Sequence, residues 1–172
     1  MVEELLDFSK FVSGKISMIK EQVDVEELVK QLKIQLSPRA ERKNINFEVN
    51  IEGDLPQLVT DENRLKQVFI NLLDNSFKFT PAGGNVSFDV SCKDNSLVFS
   101  IKDTGCGISS EELPHIKEKF FKGKNSNSSN GIGLSICDEI VKLMNGTFEV
   151  ASVLDKGTEA IVTLPLNNGR GV

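Results

Sequence analysis

The segment from residue 61 to residue 80, DENRLKQVFINLLDNSFKFT, constrains the possible fold more than any other part of the chain. Asp61 can cap a helix at its start, and the Pro and Gly residues of TPAGGN, residues 80–85, end it. Between them, apolar side chains recur at helical spacing, at Leu65, Val68, Phe69, Leu72 and Leu73. The segment therefore predicts an amphipathic helix that buries one face in a domain core.

Three polar residues interrupt the apolar character of this helix. Asn71, Asn75 and Lys78 are spaced i, i+4 and i+7, so they form one polar line beside the apolar stripe. Such a line is either a solvated face or the wall of a binding site. This segment alone fits both interpretations.

Helices and antiparallel strands alternate along the predicted chain. Helices are expected at 1–14, 24–40, 61–80, 110–119 and 133–144. Strands are expected at 45–51, 85–92 and 97–103, with two more joined by a turn at 155–157, and residues 15–23 are expected to be extended. This order predicts an α+β fold, a two-layer sandwich with a mixed, mostly antiparallel sheet packed on helices. It argues against a doubly wound parallel sheet, and no P-loop motif is present.

Composition excludes several functional classes. The 172 residues suffice for one well-cored domain with a short appendage, and the net charge of −5 argues against a nucleic-acid-binding surface. Three dispersed cysteines predict neither a disulfide framework nor a zinc site, and they fit a reducing, cytoplasmic compartment. No run of ~18 apolar residues predicts a membrane span, so no membrane contact by this chain is expected.

Three glycine motifs follow the helix: DTGCGI at 103–108, NGIGLSI at 130–136 and KGTEAIVTLPL at 156–166. Each alone is typical of a turn. In this order behind DENRLKQVFINLLDNSFKFTP, they resemble the Bergerat-fold ATP site of sensor histidine kinases, in the GHKL ATPase superfamily. The resemblance runs from about 24 to 166. LLDFSKFVSGK, residues 5–15, resembles the end of the dimerisation helix of those kinases, so residues 1–14 are expected to be its remnant and 15–172 the catalytic domain.

The resemblance gives the polar line a role in binding Mg·ATP. Asn75 would supply its amide oxygen to Mg²⁺, which prefers hard oxygen ligands. Asn71 would contact the water shell of the metal or the phosphates, and Lys78 would face the phosphates as a point charge. These three residues are the expected catalytic set.

The glycine motifs would hold the base and the phosphates of ATP or ADP. Asp103 would accept a hydrogen bond from the adenine amine, with Gly105 and Gly107 letting the purine approach and Ile108 offering an apolar wall. Residues 122–131 predict a mobile lid, and the helix beginning at Gly133 would offer its N–H groups to phosphate. By the same resemblance, the remaining nucleotide-binding residues are Phe79, Phe121, Lys122, Gly131, Ile132, Leu134 and Thr158.

The sequence departs from the family pattern at three positions. Lys117 stands where relatives usually have a phenylalanine, Lys122 replaces a common arginine, and Ser129 stands where a glycine is often found. Asn71 occupies the position at which related hydrolytic ATPases carry a glutamate, and an amide cannot take a proton from water. Rapid ATP hydrolysis is therefore not expected.

The expected activity is transfer of the γ-phosphoryl group to a histidine on the dimerisation domain, with a response regulator downstream. His115 is expected to be a structural or surface residue, and the isolated chain is expected to be a monomer. A degenerate nucleotide-binding or protein-docking module and a serine kinase of the anti-sigma type are the alternatives. The helix remnant at 1–14 disfavours the serine kinase.

Overall fold

A computed structural model describes residues 9–10, 13–14, 17–118, 121 and 133–166. Its helices are α1 (Val25–Arg42), α2 (Glu62–Phe79) and α3 (Gly133–Leu143), with a short 3₁₀ helix at Leu113–His115. Its strands are β1 (Glu21–Val23), β2 (Asn46–Ile51), β3 (Leu58–Thr60), β4 (Asn85–Lys93), β5 (Ser96–Asp103), β6 (Thr147–Val153) and β7 (Gly157–Pro165).

The strands form two sheets. The larger has the order β2-β4-β5-β7-β6, in which only the β2–β4 pair is parallel, and β1 pairs with β3 in a small antiparallel sheet. The connection from β2 to β4 contains α2, and a parallel pair needs such a crossover. The predicted α+β sandwich with a mostly antiparallel sheet is confirmed.

The core lies between the helices and one face of the larger sheet. Alternate residues of β4 and β5 are buried, and the residues between them face the other side. Phe69 of α2 packs against this layer, with ring centroids 5.2 Å from Phe88 and 4.6 Å from Phe99. The centre of α2 is thereby fixed on the sheet.

The C-terminal half of α2 is also tied to α1. Arg39 donates from Nη1 to both carboxylate oxygens of Asp74, each at 2.6 Å, and Lys43 donates to the carbonyl of Phe77. The second contact satisfies one of the carbonyl groups that a helix leaves unpaired at its end. These contacts fix the register of α2 against α1.

A single carboxylate joins the start of α2 to the N-terminal segment. Asp61 accepts from the Arg64 N–H at 3.1 Å, which is the predicted helix cap, and from the Ile19 N–H at 3.0 Å with its other oxygen. Asp61 is buried. It therefore anchors the segment before β1 as well as the helix.

Several element predictions need correction. The helix predicted at 110–119 is wrong, because this stretch forms only the 3₁₀ helix and flanking turns. Pro114 lacks an N–H and disfavours helical backbone at the residue before it, which explains the difference. Strand β3 was not predicted, and only the end of the extended stretch 15–23 is a strand.

The structure describes only part of the helix predicted at residues 1–14. Ser9 and Lys10 are helical and Gly14 has φ of 67°, but the other residues of the predicted helix 1–14, apart from Ser13, lie outside the described residues. Among the residues that the structure describes, no helix has the length and apolar character needed to cross a membrane.

The double role of Asp61 leads to a stability prediction. Replacing Asp61 by Ala removes both hydrogen bonds, whereas Ser keeps the cap and loses the contact with Ile19. We expect Asp61→Ala to cost about 2–3 kcal/mol of unfolding free energy, from the cap and from the unpaired buried N–H. We expect about half that loss for Asp61→Ser. Urea unfolding measures both.

Asp24 provides the matched control, since it caps α1 through the Glu27 N–H at 3.1 Å and is exposed, with no second backbone donor assigned to it. Asp24→Ala is expected to cost only about 1 kcal/mol. Amide exchange at Ile19 should accelerate in both Asp61 variants. Equal losses for Asp24→Ala and Asp61→Ala, with slow exchange retained at Ile19, would show that Asp61 is only a cap.

Candidate functional site

The carboxylate of Asp103 is the centre of the candidate site, at the end of β5. Its Oδ1 accepts from the Gly105 N–H at 2.9 Å and from the Thr158 N–H at 3.3 Å. Burial raises the pKa of Asp103 above the ordinary carboxyl value, while hydrogen bonding by Gly105, Ser76 and Thr158 acts in the opposite direction. The site thus holds a partly buried carboxylate whose charge is supported by hydrogen bonds.

Glycines allow the loop after Asp103 to pack against the rest of the protein. A Cβ on Gly105 would lie 2.6 Å from the Phe79 carbonyl oxygen, and a Cβ on Gly107, which has φ of 69°, would lie 2.1 Å from the Val153 carbonyl oxygen. Real Cβ atoms do not approach so closely. The sequence interpretation assigned these glycines to a tight turn that lets a purine approach, and the structure shows that they also admit the chain's own backbone.

The β6–β7 hairpin holds this loop from the other side. Ser152 Oγ accepts from the Ile108 N–H at 2.8 Å and lies 2.8 Å from the Thr158 hydroxyl. The Asp155 N–H donates to the Cys106 carbonyl at 2.7 Å. Ile108 and Thr158, both predicted site residues, are therefore brought to the same pocket wall as Asp103.

The polar line lies on α2, the helix whose last residue, Phe79, contacts the glycine loop. Asn71, Asn75 and Lys78 are all half-buried. The Nδ2 atom of Asn71 is shielded from solvent and has no hydrogen-bond partner among the described residues. An unpaired buried amide costs free energy, so an acceptor for this N–H group would stabilise the arrangement.

Lys78 and Phe79 form the end of this line. The ammonium of Lys78 lies 5.4 Å from the Phe79 ring centroid, within the range of a cation–π contact. The Phe79 carbonyl accepts from the Cys106 N–H at 3.2 Å. Through this bond, the end of α2 is joined to the glycine loop.

The structure describes only some of the other predicted site residues. Gly133 begins α3, and Leu134 is half-buried against the core. Phe121 lies near His115, with ring centroids 5.9 Å apart. Lys122, Gly131 and Ile132, and with them the predicted lid at 122–131, lie outside the described residues.

Lys117, which departs from the family pattern, has a defined place in the structure. Its ammonium lies 4.8 Å from the Phe148 ring centroid, donates to the Phe148 carbonyl and lies 3.3 Å from an Asp138 carboxylate oxygen. The lysine therefore keeps a contact with an aromatic ring and adds an ion pair to α3. It ties the stretch after the 3₁₀ helix to β6.

Two positions near the candidate site were not predicted from the sequence. Ser152 sits in a strand in which nothing distinguishes it from other alternating residues. Ser76 does carry a signal, because it falls on the apolar stripe of α2, between buried Leu73 and Phe77. A hydroxyl group on the buried face of a helix needs a hydrogen-bond partner, which can lie on a neighbouring element.

A second cavity lies on the face of the larger sheet opposite the helices. It has a volume of about 470 Å³, and its wall includes Asn46, Asn85, Lys102 and Glu159 together with Asp103, Ser152 and Thr158 of the candidate site. Lys102 and Glu159 are already paired there, with Nζ and Oε1 3.7 Å apart. This cavity does not include the polar line of α2.

Comparison with known proteins identifies the family of the chain. Residues 60–168 match the family described as Histidine kinase-, DNA gyrase B-, and HSP90-like ATPase. The chain belongs to this family. It is 33% identical over 96% of its length to the adaptive-response sensory kinase SasA of Microcystis aeruginosa, and 36% identical over 88% of its length to the sensor protein KdpD of Clostridium acetobutylicum.

A solved structure agrees with these relatives. Full-length ShkA in complex with AMPPNP superposes on 95% of this chain with a TM-score of 0.86 and 32% identity. The chain covers 44% of SasA, 17% of KdpD and 35% of the ShkA chain. It therefore corresponds to the ATP-binding catalytic domain of sensor histidine kinases, and the predicted family and fold are confirmed.

The raised pKa of Asp103 predicts how this histidine kinase domain responds to pH. A carboxyl group whose pKa is higher in the folded state contributes stability at low pH, and that contribution is lost as pH rises from the ordinary carboxyl range through the raised value. We therefore expect Asp103→Asn to raise the melting temperature at pH 7. The gain should shrink as pH falls toward the ordinary value.

Asp89→Asn is the matched control for the loss of one negative charge. Asp89 lies on the opposite sheet face, where it accepts from the Asn50 amide at 2.7 Å. Melting curves of both variants between pH 4 and pH 8 measure how the effect of each substitution on the melting temperature depends on pH. A lower melting temperature for Asp103→Asn than for Asp89→Asn at neutral pH would mean that the Asp103 charge stabilises the fold.

Proposed function

We propose that this chain binds Mg·ATP and transfers the γ-phosphoryl group to a histidine on the dimerisation domain of a two-component sensor histidine kinase. The observation that carries this proposal is the Asp103 carboxylate, which the Gly105 and Thr158 N–H groups hold beside a loop that contacts the end of α2, the helix of the polar line. The AMPPNP bound to the similar ShkA chain supports nucleotide binding there.

Asp103 is proposed to select the base. The Gly105 and Thr158 N–H groups hold its Oδ1, and an ionised carboxylate only accepts hydrogen bonds. The exocyclic amine of adenine is a matching donor. Guanine presents a carbonyl oxygen at that position, which would face the carboxylate acceptor to acceptor.

The polar line is proposed to face Mg²⁺ and the phosphates. The unpaired Asn71 Nδ2 can donate to a phosphate oxygen or to water, the Asn75 amide oxygen is a hard ligand, and the Lys78 ammonium is a cation. The metal, when bound, neutralises charge on the phosphates. Asn75 is proposed to contact it, and Asn71 its water shell or the phosphates.

Transfer rather than hydrolysis is proposed because Asn71 cannot act as a base toward water. In phosphoryl transfer the protein mainly positions the groups and stabilises charge, so the remaining requirement is an acceptor side chain. His115 is exposed and its Nδ1 lies 2.7 Å from a Glu118 carboxylate oxygen, which fits a surface role. The acceptor is therefore assigned to the dimerisation domain.

The wider context is proposed from the relatives, which are named as sensory kinases. Residues 1–14 are proposed to be the end of the dimerisation helix and 15–172 the catalytic domain. The partners are then the dimerisation domain and, downstream, a response regulator. We propose a cytoplasmic location for the domain and a monomeric state for the isolated chain.

The proposed contacts of the polar line with phosphate can be tested separately from its effect on protein stability. Asn75→Ala and Lys78→Ala should each weaken Mg·ATP binding about tenfold, the cost of one charge-assisted hydrogen bond. Adenosine affinity should stay within about twofold, since adenosine has no phosphates. Calorimetry measures both, because the chain has no Trp or Tyr. Equal losses for both ligands would mean that α2 is merely destabilised.

The transfer itself can be tested with γ-labelled ATP. The chain alone should neither label itself nor hydrolyse ATP appreciably, and it should label a separately supplied dimerisation domain that carries the acceptor histidine. The phosphohistidine should be labile to acid. A variant of that domain with Ala in place of its histidine is the control and should remain unlabelled.

Other outcomes favour other functions. Acid-stable label on a serine would indicate a serine kinase of the anti-sigma type. No label at saturating nucleotide, with an acceptor domain that a related kinase can label, would leave a nucleotide-binding or docking module.

A further inference from the structure

The hydroxyl of Ser152, in β6, is a polar group that the proposed function does not use. Ser152 is half-buried, and its Oγ lies 2.8 Å from the Ile108 nitrogen, 2.9 Å from the Gly157 carbonyl oxygen and 2.8 Å from the Thr158 hydroxyl. Ile108 and Thr158 are both predicted residues of the base pocket. One hydroxyl group therefore joins two parts of that pocket.

Ser152 lies in one row with Asp103 and Thr158 across three strands. It is opposite Thr158 in the pairing of β6 with β7, and Asp103 is opposite the same Thr158 in the pairing of β5 with β7. Residues that are opposite each other in an antiparallel pair have their side chains on the same face of the sheet. Asp103 follows the buried Phe99 and Ile101 at alternate positions, so this row lies on the helix-facing side.

We propose that Ser152 is a specificity-determining positioning residue, whose hydroxyl holds the Thr158 hydroxyl as a hydrogen-bond acceptor toward the base and so favours adenine over guanine nucleotides. This inference rests on the proposed function, because it deepens the assignment of this pocket to the base. Ser152 need not touch the nucleotide. It acts through Thr158 and, as a second contact, through Ile108.

The first argument counts hydrogens and lone pairs. A serine hydroxyl has one hydrogen and two acceptor lone pairs. The Ile108 N–H can only donate, so it occupies one lone pair, and the Gly157 carbonyl can only accept, so it receives the hydroxyl hydrogen. The contact with the Thr158 hydroxyl must then use the remaining lone pair. Thr158 is therefore the donor, and its own hydrogen is directed at Ser152.

The direction of this bond decides what Thr158 can offer to a base. With its hydrogen committed to Ser152, the Thr158 hydroxyl can only accept further hydrogen bonds. The Asp103 carboxylate beside it, to which the Thr158 N–H donates at 3.3 Å, is also an acceptor. Acceptors in one row match the exocyclic amine of adenine, which donates. The carbonyl oxygen that guanine presents would face only acceptors in this row of side chains.

The second argument concerns the apolar wall of the pocket. The glycine loop is attached to the β6–β7 hairpin at Cys106, whose carbonyl accepts from the Asp155 N–H at 2.7 Å, and at Ile108 through the Ser152 hydroxyl. The first bond joins backbone to backbone and does not depend on the side chain at position 152. Loss of the hydroxyl would therefore release Ile108 from β6 while the loop stays attached at Cys106.

The experiment compares wild type with Ser152→Ala, which removes the hydroxyl, and Ser152→Thr, which keeps it. Ser100→Ala is the matched control, because Ser100 also donates across the sheet, to Glu159 at 2.8 Å, but lies on the face of β5 opposite to Asp103. Calorimetry gives the affinities for Mg·ADP and Mg·GDP. Amide exchange at Ile108, measured without nucleotide, reports the contact with Ser152.

For Ser152→Ala, we expect the ratio of ADP to GDP affinity to fall about tenfold, because the released Thr158 hydroxyl can donate to the guanine carbonyl. Amide exchange at Ile108 should accelerate. Ser152→Thr should keep the ratio within about twofold of wild type, because it keeps the donor and both lone pairs, and exchange at Ile108 should stay slow. Ser100→Ala should match wild type in both measurements.

Thr158→Val tests whether the effect passes through the Thr158 hydroxyl. Valine has nearly the shape of threonine and keeps the backbone N–H that donates to Asp103, but it has no hydroxyl hydrogen to release. In the Thr158→Val background, adding Ser152→Ala should change the ratio of ADP to GDP affinity by less than about twofold. A fall as large as in the wild-type background would mean that Ser152 acts through the general fold, and its role in selectivity would be overturned.

Two failures are distinguishable. If wild type does not bind ADP, the proposed function fails and the role of Ser152 fails with it, whereas exchange at Ile108 still shows whether their contact exists. If wild type binds ADP but Ser152→Ala leaves the ratio unchanged, only the role of Ser152 is overturned. If Ser152→Ala does not fold, Ser152→Cys replaces it, since a thiol is a weak donor and acceptor, and the ratio should fall in the same direction.

Discussion

The hydrogen bonds around the Asp103 carboxylate join three parts of the fold that are distant in sequence. The donors to it come from the glycine loop and from β7, and the Cys106 N–H of that loop donates to the Phe79 carbonyl at the end of α2. A partly buried charge of this kind opposes folding unless such donors compensate it. Gly105 and Gly157 have to lack side chains for the donors to reach it, since a Cβ on Gly157 would lie 2.0 Å from the Asp103 carbonyl oxygen. The pocket is thus built before a ligand arrives.

Helix α2 gives this pocket its rigid wall. Its apolar stripe is held by Phe69 against the sheet, its start by Asp61 and its end by Lys43. The polar line shares this backbone, so its position relative to Asp103 is set by core packing rather than by a flexible loop. Sites built on packed helices hold geometry better than sites on loops. This explains why the chain can leave an Asn71 amide unpaired without losing its arrangement.

Local signals were sufficient to predict part of this structure from the sequence. The Asp caps of α1 and α2 and the β4–β5 hairpin follow from residue type alone, and Asp94 and Asn95 adopt the positive φ values that their turn needs. The three-residue strand β3 exists only because β1 pairs with it, so no periodicity could reveal it. The helix expected at 110–119 did not form because Pro114 lies within it.

The candidate site, too, could be predicted only in part. Asp103, Asn71 and Asn75 were predicted from the family resemblance. The places of the Ser76 hydroxyl and of the Lys117–Asp138 ion pair depend on which elements meet in three dimensions. The glycines were found for a reason that is only partly right. Their neighbours are the carbonyls of Phe79 and Val153, and these contacts are invisible until the hairpin is placed beside α2.

The central claim is that the nucleotide binds on the helix-facing side of the sheet, around Asp103. A titration of the ¹⁵N-labelled chain with Mg·ADP, followed by NMR, tests it most directly. The account predicts the largest chemical-shift changes at the backbone amide of Gly105 and at the side-chain amide of Asn71. Changes confined to the opposite sheet face, at Asn46, Asn85 and Lys102, would contradict it, because they would place the nucleotide in the second cavity.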